Sequence, residues 1–163
     1  MQLWRYNRRH WRSGRPSPAI VHQMAYTMKT AQPNWSIPEN LLELVDGDEG
    51  GIWEGDSWDP ILLTVMKGTV YRGRAIPLAW QIEFEPVGPN FEVANERLRT
   101  LGLDPDGYGW ATLIKGVADK YHPDIAKELQ FGDTEQTTCV VWVESENTCR
   151  KLIQMTWALI NAE

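Results

Sequence analysis

Three observations in this chain of 163 residues predict an α+β fold: helices packed on one face of a small, mainly antiparallel sheet. Two adjacent segments rich in β-branched and aromatic residues, ILLTVMKGTVY and RAIPLAWQIEF, are separated only by Arg72-Gly73 and read as a hairpin. Three segments between 90 and 131 then carry apolar residues at helical spacing. A single strong strand, TTCVVWVES, precedes a closing helix. The resulting order, β-β-α-α-α-β-α, segregates strands from helices as α+β folds do.

The elements follow in chain order. Residues 1–34 show no sustained periodicity and read as a basic, poorly ordered N-terminal extension; a single α+β domain is expected over 35–163. Met24 and Met28 are also plausible start sites. WSIPENLLELVD is a short helical or turn segment, and DGDEGGIWEGDSWD (46–59) is a loop by composition. In the second strand Pro77 belongs at an edge or bulge. PNFEVANERLRTLG is a helix, with Asn90 as its cap, Phe91, Ala94, Leu98 and Leu101 on one face, and Gly102 at its end.

Asp104-Pro105-Asp106-Gly107 is a turn, because Pro presets φ and Gly accepts positive φ. It opens GWATLIKGVADKY, whose Trp110, Leu113, Ile114, Val117 and Tyr121 share a face. Tyr108 and Trp110 are expected to anchor this helix against the sheet. HPDIAKELQF is a short helix with Pro123 in its first turn. In the last strand Cys139, Val141 and Val143 point one way and Thr138, Val140 and Trp142 the other. ENTCRKLIQMTWALI closes the chain with a broad apolar surface.

Composition bounds the function. A hydrophobic content of 42% and a charged content of 23% suit a soluble globular protein. No run of eighteen apolar residues is present, so no membrane partner is expected. Without an apolar leader core, and with only two cysteines, the expected compartment is the cytoplasm. Residues 1–38 carry six cations and no acid; the rest carries ten cations and all 22 acids, for a net charge of −6. A basic extension on an acidic body is an informative asymmetry.

Few side chains in the sequence suggest chemistry. His10 and His22 fall in the extension, and His122 precedes Pro123 at a helix start, where a capping or exposed role is the simpler one. Cys139 and Cys149 have no evident His/Asp pairing and read as buried thiols. Glu83 and Glu85 share a strand face and form an acid/base pair or a solvated face. The glycine-rich stretches match neither the phosphate loop nor the dinucleotide fingerprint, and the 46–59 acids lack EF-hand alternation. No catalytic residue, cofactor or metal is therefore expected.

The motifs GYGW (107–110), HPDIAKELQF (122–131), GDTEQTTCVVWVES (132–145) and LIQMTWALI (152–160) occur in an order that resembles immunity protein family 51 of bacterial polymorphic toxin systems. The resemblance covers about 91–161, and its motif positions are Gly107, Tyr108, Trp110, Pro123 and Phe131. It departs where the usual Phe-Asp-Pro-Glu turn reads Phe131-Gly132-Asp133-Thr134-Glu135. It implies a protein without enzymatic activity, a monomer or weak homodimer, that binds and neutralises a cognate toxin protein. An acidic surface would suit a toxin that targets nucleic acid. The candidate contacts are Asp46, Asp48, Glu49, Glu54, Asp56 and Asp59 as the electrostatic part, with Trp53 and Trp58 as anchors. A solvated loop is the plain alternative.

Two competing readings remain. Residues 61–81 resemble the segment after the first catalytic Asp of DDE-type transposases, which implies an inactive fragment with Asp46 or Asp48 as the first ligand. The Arg/Trp mixture of LWRYNRRHWRSGRPSP would suit a nucleic-acid-binding arm, although the acidic body repels phosphate and makes nucleic acid unfavourable as the primary partner.

Overall fold

A computed structural model describes residues 31–162; the basic extension lies almost wholly outside them. Within this range the elements are α1 (Leu41–Gly47), β1 (Ile52–Gly55), β2 (Leu62–Tyr71), β3 (Arg74–Phe84), a 3-10 turn (Pro89–Phe91), α2 (Glu92–Thr100), α3 (Gly107–Tyr121), α4 (Pro123–Ala126), β4 (Cys139–Val143) and α5 (Glu146–Asn161). The four strands form one antiparallel sheet in the order β1-β2-β3-β4. The α+β class and the approximate order of elements agree with the sequence reading.

Register explains which side of the sheet is buried. Trp53, Val65, Trp80 and Val143 lie in one cross-strand row, and Leu63, Ile82 and Val141 in the next. Six of these seven are buried and Trp53 packs at their margin. Rows of the other face include Glu54, Thr64, Gln81 and Trp142, and Leu62, Glu83 and Val140. The strand alternation thus delivers an apolar face to the helices and a mixed face away from them.

The helices meet that apolar face through one contiguous core. α5 supplies Leu152, Ile153, Trp157 and Ile160, and α3 supplies Trp110, Leu113, Ile114 and Val117. Phe84 of β3 stacks on Phe91, and both meet the Trp110 ring edge-to-face with centroids 5.3 and 5.7 Å away. Asn95 is buried beside them; it donates to Pro86 O at 2.8 Å and accepts from Trp110 Nε1 at 2.9 Å. Caps fix two helix starts: Asp106 accepts from Gly109 N–H, and Ser145 accepts from Thr148 N–H.

Several sequence expectations need correction. Residues 46–59 are not a continuous loop, because Asp46 and Gly47 end α1 and Ile52–Gly55 pair with β2. Asn90 makes no side-chain cap; it lies in the 3-10 turn, and α2 starts at Glu92. The helix expected over 122–131 stops at Ala126, and Gln130 instead pairs with Trp142 outside β4. Tyr121 is exposed rather than on the apolar face of α3. Just ahead of residue 35, Gln32 Nε2 donates to Gln154 O of α5. Pro77 makes no bulge, since Lys67↔Leu78 and Thr69↔Ile76 keep one register on either side of it, but β4 pairs with β3 only from Trp80 onward, so Pro77 lies at a sheet edge, the other place expected for it.

β2 and β3 run on past their neighbours. β1 pairs only as far as Met66, and β4 only as far as Trp80, so the far end of the hairpin is two-stranded. Its tip is the two-residue loop Arg72-Gly73, with φ of 51° and 77°. Positive φ at both positions is the type I′ pattern, whose twist matches the flanking strands.

Candidate functional site

The acidic stretch is built around the edge strand β1. As the chain leaves α1, one oxygen of Asp48 accepts from the N–H of Gly50 at 2.8 Å and of Ile52 at 3.1 Å. Lys67 N–H donates to Gly51 O at 2.7 Å. Alternation along an antiparallel ladder then directs the backbone groups of Trp53 and Gly55 towards β2 and those of Ile52 and Glu54 outward. The outward N–H of Ile52 is the one that Asp48 holds. The ring of Trp53 lies over Gly55, where an added Cβ would come within 2.6 Å of it.

The candidate contacts divide into three groups. Asp46 pairs with Lys67 at 2.5 Å, both side chains being more than half exposed, which makes the pair worth at most about 1 kcal/mol. Asp48 is committed to the turn. Glu49, Glu54, Asp56 and Asp59 are exposed and make no side-chain hydrogen bond or ion pair among the described residues. These four, with Asp46, form the accessible negative surface.

Of the two aromatic anchors, only one is available. Trp53 is half-buried at the margin of the core. Trp58 is 1% exposed and meets Trp157 edge-to-face at 5.8 Å, so its assignment as a contact residue is corrected: it belongs to the core. Its polar Asp and Ser neighbours point outward while the indole turns in. The apolar groups that do reach the surface nearby are Leu42 and Leu44 of α1 and Ile52 of β1, at 62%, 40% and 40% exposure. Sequence reasoning missed them. The signal was present for α1, since Leu41 and Val45 at i, i+4 take the inward face and leave the other two leucines outside.

The Gly-Tyr-Gly-Trp element is a packing device with one residue left over. A Cβ on Gly107 would stand 2.0 Å from Glu135 O, and one on Gly109 would stand 1.8 Å from Asp104 O. Both glycines are therefore required by backbone approach. Trp110 is fully buried, as expected of a core residue. Tyr108 is 53% exposed and is not part of the core, contrary to its expected role as an anchor. Pro123 opens α4 at its first position, and Phe131 packs partly buried against the core.

The remaining reactive groups are held in structural settings. Cys139 and Cys149 are buried, and burial pushes both thiols far above their ordinary pKa; Thr134 opposes this slightly for Cys139, and Glu146 reinforces it for Cys149. Glu83 is half-buried and accepts from Gln81 Nε2 at 3.0 Å, while Glu85 is exposed beyond the end of β3. The His122 side chain makes no cap hydrogen bond. Among the described residues no three His, Cys, Asp or Glu side chains converge to hold a metal ion, and no helix is long and apolar enough to cross a membrane. No protein-family model, curated protein or solved structure matches this chain.

Proposed function

We propose that this chain is an immunity-type protein that binds and neutralises a toxin domain through the acidic surface around β1. The observation that carries the reading is the combination at one sheet edge. Among the described residues the carboxylates of Glu49, Glu54, Asp56 and Asp59 have no hydrogen-bond or ion-pair partner, and they surround a strand that also presents Ile52 and part of Trp53. Carboxylates steer a basic partner and set its orientation, while partly exposed apolar groups supply area that becomes dry on docking. A toxin whose own substrate is a polyanion carries the complementary positive surface. Nanomolar neutralisation corresponds to about −12 kcal/mol. An interface of roughly 800 Å² on each partner can supply it when its central apolar contacts pack well.

The test is a growth assay in a bacterium. The C-terminal domain of the protein encoded directly upstream is expressed with and without the full chain. Rescue is the expected result. The triple change Glu49→Lys, Glu54→Lys and Asp56→Lys should then abolish rescue while the protein stays folded, because none of these side chains has an internal partner among the described residues. Absence of rescue, with a toxic upstream domain and both proteins soluble, overturns the pairing. Rescue undiminished by the triple change overturns the choice of surface.

A further inference from the structure

Opposite charges follow one another along the chain. Residues 1–38 carry six cations and no acid, and residues 39–59 carry eight acids and no cation. Five of those cations, Arg5, Arg8, Arg9, Arg12 and Arg15, are interleaved with Trp4, Tyr6 and Trp11. The ten cations of the remaining chain all lie at or beyond Lys67, so 39–59 is the densest acidic stretch available to them. It is built into α1, β1 and the turns beside them, where Glu49, Glu54, Asp56 and Asp59 stand exposed. The same elements expose Leu42, Leu44 and Ile52, and β1 is the outermost strand of its sheet.

The chain enters the described residues close to this surface. Gln32 donates to Gln154 O of α5, and Trp35 Nε1 donates to Glu146 at 3.0 Å. The Trp35 ring lies 6.2 Å from that of Trp80. Trp80 pairs with Val65 and Val65 with Trp53, so the chain arrives on the cross-strand row that ends in β1. Two strand spacings along that row amount to about 10 Å. About twenty residues connect Arg12 to Gln32, and a chain of that length can reach up to about 66 Å. Tethering raises the local concentration of a segment to about the millimolar range. Contacts too weak to hold a free peptide therefore suffice for a linked one.

We propose that the Arg/Trp segment of the same chain, residues 3–15, docks on the surface formed by α1 and β1. Its guanidiniums face Glu49, Glu54, Asp56 and Asp59, and its aromatic rings cover Leu42, Leu44 and Ile52. Guanidinium forks make charge-assisted hydrogen bonds to carboxylates, and the rings remove the exposed apolar groups from water. The basic extension is then an internal cover for the acidic edge, and an outside partner at β1 has to displace it. The contact stands whether or not that outside partner is a toxin.

The test places a nitroxide on the full chain through Asn7→Cys; the two native cysteines, Cys139 and Cys149, are buried. Amide NMR spectra are compared with the label oxidised and reduced, at an ionic strength of about 0.02 M. Selective loss of intensity is expected at Leu42, Ile52, Glu54 and Asp56, with Lys127 and Thr137 unaffected. The loss should disappear at about 0.5 M salt, where charges are screened within a few ångström. It should also disappear when Arg8, Arg9 and Arg12 are all changed to Glu. A mixture of labelled chain with isotope-enriched unlabelled chain should show no loss, since the contact is internal. Broadening that is absent, uniform or centred elsewhere overturns the proposal, as does broadening that survives the arginine changes or arises between separate copies. Each of those results leaves the growth assay for toxin neutralisation to be decided by itself.

Discussion

Replacing Gly109 by Ala should destabilise the protein, although the same change usually stabilises a helix. The gain is familiar: Ala is better than Gly in a helix by up to about 1 kcal/mol. The cost comes from Asp104. An added Cβ would stand 1.8 Å from its carbonyl oxygen, and contacts below 3.0 Å are essentially never adopted, so that backbone must retreat by at least 3.0 − 1.8 = 1.2 Å. It belongs to the turn that places Asp106 under Gly109 N–H, a cap bonded at 2.9 Å. Overpacking of this kind costs about 1–3 kcal/mol, and a weakened cap adds up to about 1. The net expectation is a loss of roughly 2 kcal/mol, which for a chain of this length lowers the melting temperature by about 4–8 °C. Gly47→Ala is the internal control, because Gly47 ends α1 with nothing within 4 Å of its added Cβ. It should gain about 0.4–1 kcal/mol. Thermal and urea unfolding of both variants measure the contrast. A Gly109→Ala protein as stable as the parent would refute the close approach on which the account of the Gly-Tyr-Gly-Trp element rests.

Two further outcomes follow from buried polar groups. Trp110→Phe strands the Asn95 carbonyl oxygen, and Asn95→Ala strands both Trp110 Nε1 and Pro86 O, so each should cost about 1–3 kcal/mol; a urea double-mutant cycle should show coupling of about 1 kcal/mol, and strict additivity would contradict the shared bond. Asp133 has its carboxyl pKa raised, chiefly by burial and secondarily by the nearby Glu135 charge. The folded state therefore holds that proton more tightly than the unfolded state does. Its stability contribution is complete below the ordinary carboxylate pKa of about 3.9 and is lost as pH rises through the raised value. Asp133→Asn should accordingly melt higher than the parent at pH 7, with the difference vanishing near pH 3, as read by melting curves across that range.

Long elements with their own periodicity are legible in the sequence itself. β2, β3, α3, β4 and α5 each carry enough alternating or helically spaced apolar residues to declare themselves, and the alternation in β4 set Cys139, Val141 and Val143 together on one face, which the structure shows to be the buried one. Elements that owe their state to a neighbour were not. Ile52–Gly55 is only four residues between glycines and acids, and it becomes a strand because β2 offers a partner. Lys127–Gln130 has helix-forming composition, yet Gln130 is drawn into a bridge with Trp142. At the candidate site the carboxylates were readable as exposed, but Trp58 was not readable as buried. Its sequence neighbours are polar, and the aromatic surface that receives it, Trp157, lies about a hundred residues away.

The carboxylate of Asp48 has a consequence for how other molecules meet this protein. A sheet margin normally invites any passing extended segment to continue the ladder, and this invitation underlies fibre growth. Here the first outward amide is already occupied, and a second copy approaching margin to margin would bring its own Glu54 and Asp56 against the same charges. Continuation of the sheet from one molecule to the next is therefore discouraged twice, by a filled donor and by repulsion. A visitor at β1 meets the sign of these charges before its backbone is read, so an acidic strand edge is disfavoured there.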